Sequence, residues 1–139
     1  MVAAEPSMIQ GLIEVRQEEV TLLLESGWLL MEMQKFKEAE EIFEGVAALL
    51  PHSEVPLICL GNLHFSQGRF DRALKTQRDA LKRAPDSVLA RAHIGEALLF
   101  LKRRDEAKRT LEEAIQLEPE GDAAIFARSL LDGAAAEVI

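Results

Sequence analysis

The sequence has one cysteine, Cys59, one tryptophan, Trp28, and no tyrosine. A single cysteine cannot form an internal disulfide and cannot supply a cysteine-rich metal site. Aromatic residues make up only 5% of the chain, whereas Ala, Leu and Glu are plentiful. Because strands are enriched in aromatic and β-branched residues, this composition favours helices. We therefore predict an all-α protein.

Basic residues are outnumbered, with 16 Lys and Arg against 24 Asp and Glu, for a net charge of −8. Binding to phosphates needs clustered Lys and Arg, so we expect no nucleic-acid partner. No apolar run approaches the roughly 20 residues that span a membrane, so we expect no membrane insertion. The first residues lack the basic and apolar regions of a secretory signal. These features predict a cytoplasmic protein.

Motifs for catalysis are also lacking. The sequence contains no HExxH, no CxxC and no phosphate-binding glycine loop. His64 lies five residues after Cys59, whereas residues three or four apart share a helix face, so His64 is not placed to act as its base. We interpret both as packing residues, and predict a non-enzyme without cofactor or metal.

What the sequence does contain is a period of 34 residues. Three residue types recur at that spacing and in one register, which indicates an internal repeat. They are Gly27, Gly61 and Gly95; Ala39, Ala73 and Ala107; and Pro51, Pro85 and Pro119. Each unit has room for two helices of about 14 residues. A glycine inside a helix costs about 1 kcal/mol, so we expect it to allow close packing, with the alanine of the second helix opposite.

This pattern resembles that of the tetratricopeptide repeat (TPR) family, with units at 20–53, 54–87 and 88–121. The resemblance implies three helix-turn-helix repeats in a short right-handed superhelix. Residues 1–19 would form an N-terminal tail and helix, and residues 122–139 a C-terminal capping helix and tail. The expected helices cover 21–33, 36–49, 54–67, 70–83, 88–101, 104–117 and 122–133.

Details at the helix ends can also be predicted. Ser53, Asp86 and Asp122 follow the repeated prolines and are expected N-caps. No Gly or Pro separates residues 7–19 from the first repeat helix, so the sequence allows the two to run together. Residues 134–139 are expected to be frayed.

In the TPR family, fixed positions of each first helix line the inner face and contact peptides. Carrying those positions over by register defines the candidate groove. Its members are Leu24, Trp28, Met31, Val55, Ile58, Asn62, Phe65, Leu89, His93, Glu96, Leu99 and Phe100. Most are apolar, and an exposed apolar strip usually marks a partner site. We predict that the groove binds a largely apolar protein or peptide segment, with Trp28 as the main anchor.

The resemblance also separates functions within the family. TPR domains that hold the carboxylate tail of heat-shock chaperones use a clamp of Lys, Asn and Arg. Here the clamp positions hold Leu24, Trp28, Cys59, Leu89 and His93, so we do not expect that function. The small size, acidic charge and apolar groove are similar to those of bacterial type III secretion chaperones.

Three alternatives stay open. The chain could be a general TPR adaptor or scaffold in an assembly or regulatory complex, or a self-associating TPR protein. The groove could also be filled by the chain's own N-terminal helix, or by a second copy in a homodimer.

Overall fold

The computed structural model describes residues 16–139, and within this range the chain forms seven helices and no strand. The helices are α1 (Gln17–Glu32), α2 (Phe36–Leu49), α3 (Val55–Ser66), α4 (Phe70–Arg83), α5 (Val88–Phe100), α6 (Arg104–Leu117) and α7 (Asp122–Ala135). The predicted all-α class is confirmed. The expected N-terminal helix falls largely on residues 1–15, outside the described residues. The backbone at Arg16 is extended, so α1 begins at Gln17 and does not run on from the preceding residues.

Close packing at the repeated glycines joins the two helices of each repeat. Gly27, Gly61 and Gly95 face, in that order, Phe43, Gln77 and Leu111. A methyl group at any of the three glycines would collide with the facing side chain. The expected reason for the glycines is therefore confirmed. The nearest atoms belong to the residue four positions after the repeated alanine, rather than to the alanine itself.

The turns inside the repeats share one backbone feature. Gln34, Gly68 and Lys102 all have positive φ, at 63°, 76° and 65°. They lie 34 residues apart, so the same left-handed turn links the two helices of every repeat. Glycine adopts this conformation freely, whereas another residue loses about 1 kcal/mol there.

The predicted N-caps differ from those in the structure. The cap of α5 is Ser87 rather than Asp86, and its Oγ accepts the N–H of the third residue after it at 3.1 Å. The cap of α7 is Gly121, because Asp122 already lies inside the helix. Ser53 accepts the N–H two residues on at 3.2 Å, one position before the N-cap of α3. Capping needs an extended backbone at one residue, which composition alone does not locate.

The C-terminal tail is held against the fold, so the expected fraying is wrong. The N–H of Val138 donates to the carbonyl of Gly133 at 2.9 Å, which closes the end of α7. Ile139 packs against the core around α5 and α6, and its carbonyl accepts a hydrogen bond from Arg104 at 2.9 Å. These contacts replace those that a frayed end would make with water.

Arg83, at the end of α4, connects the second repeat to the first. Its Nη1 donates to the carbonyls of Ala47, Leu50 and Ser53, each at 3.1 Å, at the end of α2 and in the turn that follows. Because these carbonyls have no partner within α2, the guanidinium satisfies acceptors that would otherwise be left open.

Replacing Arg83 with alanine is expected to lower the free energy of unfolding by about 2 kcal/mol, since hydrogen bonds to a charged donor are lost and carbonyls are left unpaired. Urea denaturation followed by circular dichroism measures the change. Lys82→Ala is the matched control, because the Lys82 side chain is largely exposed and should matter little. An equal effect of the two substitutions would show that the Arg83 contacts contribute nothing.

Gln77 is a buried polar residue at a position that the other repeats fill with apolar side chains. Its Nε2 donates to the carbonyl of Ile58 at 3.1 Å, but its Oε1 has no hydrogen-bond partner. Phe43 and Leu111 occupy the equivalent positions. We expect Gln77→Leu to raise the free energy of unfolding by about 1 kcal/mol, because it removes an unpaired buried oxygen. A lower stability, measured in the same denaturation assay, would mean that the bond to Ile58 outweighs that oxygen.

Candidate functional site

The first helices α1, α3 and α5 carry the candidate groove. Three of its apolar side chains are exposed: Trp28 at 37%, Val55 at 44% and Leu89 at 42%. Seven members are partly buried, namely Leu24, Met31, Asn62, Phe65, His93, Glu96 and Phe100. Ile58 and Leu99 lie in the core, so they support the surface from below rather than forming part of it.

Trp28 stands at the α1 end of the groove. Its ring packs edge-on against Phe43, with the ring centres 6.4 Å apart. It also hydrogen bonds to Cys59 in α3. These contacts fix the indole in place while part of it remains exposed, as an anchor for a partner requires.

Cys59 is buried beneath the groove beside Trp28. Burial raises the pKa of the Cys59 thiol to about 11, and the hydrogen bond with Trp28 opposes this only in part. At neutral pH the side chain is therefore a protonated thiol, not the thiolate that acts as a nucleophile. This environment agrees with the interpretation of Cys59 as a packing residue.

His64 is likewise buried, on α3. Burial lowers the pKa of its imidazole, and its Nδ1 has no hydrogen-bond partner. A neutral ring with an unpaired nitrogen in the core fits a packing residue, as expected from the sequence.

Three phenylalanines join the second and third repeats at the far end of α3 and α5. Phe65 lies 4.9 Å from Phe100 and 5.0 Å from Phe70, and the last two are 5.2 Å apart between ring centres. Phe70, the first residue of α4, was not among the predicted site residues. Since Phe65 and Phe100 are partly buried by this cluster, they form a rigid wall of the groove.

At the α5 end, His93 connects the groove to α7. Its Nδ1 is 3.0 Å from Oε1 of Glu96, and its ring centre is 5.0 Å from that of Phe126. Phe126 was also missed by the sequence interpretation. Continuing the 34-residue spacing from Ala92 would have found it, because α7 repeats the pattern of a first helix.

The surface holds no arrangement typical of a metal site: residues 16–139 contain no group of three or more His, Cys, Asp or Glu that could hold an ion. None of the seven helices is long and apolar enough to cross a bilayer. The groove offers apolar contact area, one half-exposed indole and a few polar groups.

Comparison with known families and structures gives a consistent picture. Residues 32–114 match the family described as anaphase-promoting complex, cyclosome, subunit 3. No curated protein matches the sequence.

Several solved structures share the fold. SycD, a type III secretion translocator chaperone of Yersinia enterocolitica, superposes with a TM-score of 0.78 at 19% identity, over 90% of this chain and 96% of SycD. PcrH of Pseudomonas aeruginosa, in complex with the chaperone binding region of PopD, gives 0.73 at 20% identity, over 92% and 99% of the two chains. The first TPR of Spaghetti (RPAP3), bound to an HSP90 peptide, gives 0.70 at 22% identity, over 89% and 98%. At these identities the likeness concerns the fold.

Proposed function

The chain belongs to the anaphase-promoting complex, cyclosome, subunit 3 family, which is of TPR type, and from this premise we propose that it is a non-catalytic, cytoplasmic protein-interaction module. Its candidate groove binds a largely apolar segment of a partner protein, mainly through burial of apolar surface. The observation that carries the proposal is the exposure of Trp28, Val55 and Leu89 on the first helices of the three repeats.

The chemistry of the groove selects among segments. The predicted clamp positions carry no Lys or Arg, so a terminal carboxylate would lose its water without gaining an ion pair. Apolar side chains of a partner would instead cover the half-exposed Trp28 and pack beside the Phe65 and Phe100 rings. The partner segment is therefore apolar and internal rather than an acidic chain end.

The type III secretion chaperones supply the narrower form of this proposal. SycD and PcrH share the fold along nearly their whole lengths, and PcrH was solved with a segment of PopD. On this reading, the chain holds a secreted subunit unfolded or unassembled until export. A general adaptor role is the second candidate, because the matching family is described as a subunit of a large complex.

Affinity capture from the native host, followed by mass spectrometry, tests the proposal. The wild type, the variant Trp28→Ala and the control Leu117→Ala are used as baits, since Leu117 is exposed at 52% but lies outside the groove. We expect a protein that the wild type and the control retain and that Trp28→Ala loses. Identical capture by all three baits would contradict a role for the groove.

Co-expression distinguishes the two candidates. A chaperone should keep its captured chain soluble, whereas an adaptor's partner should be soluble without it. A tight dimer that captures nothing would instead favour self-association.

A further inference from the structure

One face of α1 carries large apolar side chains with nothing over them in the described part of the chain. Leu22 is 65% exposed, Leu29 is 58% exposed and Met33, just after the helix, is 52% exposed. They stand seven and four residues apart, so they form one stripe along the helix, here called the end stripe. None of the three belongs to the candidate groove.

The other repeats show what normally covers this stripe. Counting 34 and 68 residues on from Leu22 and Leu29 gives Pro56 and Leu63 in α3, and Ala90 and Ala97 in α5. All four are buried. In those repeats the preceding second helix, α2 or α4, packs against the first helix. The end stripe is therefore the surface that receives a second-type helix from a preceding repeat.

The opposite end of the stack is finished differently. The outward side of α7 carries the exposed polar residues Arg128, Ser129 and Asp132 beside a single exposed Ile125. Terminal repeats of a stack need such a polar outer face. The stack is thus closed at α7 but presents an apolar surface at α1, which calls for a cover.

The sequence before α1 continues the pattern of a second helix. Moving back 34 residues from Ile42, Phe43, Val46, Ala47 and Leu49 of α2 gives Met8, Ile9, Leu12, Ile13 and Val15. All five positions remain apolar. Because α1 begins about one turn earlier than α3 and α5, a docked segment would sit one turn further along. Four residues rotate a helix by only about 40°, so the apolar side would still face α1.

We propose that residues 8–15 of this chain pack on the end stripe as the second helix of an incomplete repeat and close the first end of the stack. The extended backbone at Arg16 lets the chain leave the axis of α1 directly before this segment. A stripe of three side chains is small against the roughly 800 Å² per partner of a stable interface, which argues against a second copy. A tethered segment needs no such area, since its effective concentration is high.

Hydrogen exchange on the full chain tests this inference, which does not depend on the proposed function. We expect amides of residues 8–15 to exchange at least tenfold more slowly than in an unstructured peptide of the same sequence. Leu29→Asp should abolish that protection, and Leu12→Asp should do the same from the other side of the contact. Leu117→Asp is the control, a similarly exposed leucine on α6, and should leave the protection unchanged.

Two results would overturn the inference. One is unprotected exchange of residues 8–15 in the wild type, or protection that survives Leu29→Asp. The other is protection that depends on protein concentration, together with a dimer in sedimentation that Leu29→Asp converts to a monomer, because a second copy would then cover the stripe. Far-UV circular dichroism verifies that each variant keeps its helices.

Discussion

Replacing Val55 and Leu89 together with glutamate is expected to weaken binding of a groove-dependent partner by at least about 100-fold. Both side chains are exposed on the first helices of neighbouring repeats, so the substitutions should leave the fold and its stability nearly unchanged. In the complex, each new carboxylate would lose its water against an apolar partner without gaining a counter-charge. Isothermal titration calorimetry with the captured partner measures the loss.

Leu117→Glu is the matched control for this double variant, because it places the same charge on an equally exposed leucine outside the groove. It should bind as the wild type does. Phe65→Glu would be a poorer test, since Phe65 packs on Phe70 and Phe100 and its replacement would disturb the fold. Unchanged affinity in the Val55 and Leu89 double variant would mean that partners bind elsewhere.

Phe43→Ala is expected to lower the free energy of unfolding by about 4 kcal/mol, the largest loss of stability that we predict. Phe43 is fully buried, fills the space left by Gly27 and supports the ring of Trp28. Its removal would leave a cavity between α1 and α2 that the helices cannot close without moving. Chemical denaturation followed by circular dichroism gives the change.

An exposed apolar residue provides the comparison for Phe43. Leu117→Ala should change the free energy of unfolding by less than about 0.5 kcal/mol. A loss below about 1 kcal/mol for Phe43→Ala would show that α1 contributes little to the stability of the stack, and that Trp28 is not held as described.

The helices could be predicted closely because the chain states its architecture three times. Repeated glycine, alanine and proline marked the middle, the second helix and the end of each unit, and six of the seven helices begin within one residue of the expected position. The caps of α5 and α7 could not be assigned from composition, since neighbouring Ser, Asp and Gly residues offer competing starts.

Burial within the candidate groove was only partly predictable. The register placed Leu24 and Ile58 at equivalent positions, yet Ile58 is buried while Leu24 is only partly so. A helix in the middle of the stack has neighbours on both sides, whereas α1 has a described neighbour on one. Periodicity identifies equivalent positions, but the number of packed neighbours decides their exposure.

Contacts between distant backbone and side chains were beyond the sequence. The three carbonyls that Arg83 binds lie 30 to 36 residues away, and every residue has a carbonyl, so no pattern marks these three. The same holds for the bond from Arg104 to the carbonyl of Ile139, which explains why fraying was wrongly expected. The candidate groove itself follows from register and resemblance, and its role in binding stays a prediction.

The fluorescence of Trp28 during titration with the captured partner segment tests the central claim most directly. Trp28 is the only tryptophan of the chain and is 37% exposed, so its emission reports on the groove alone when the segment lacks tryptophan. If the segment binds in the groove, the emission should shift to shorter wavelength as the indole is buried, and the shift should saturate with the affinity measured by calorimetry. An emission that stays unchanged while calorimetry records binding would contradict the account.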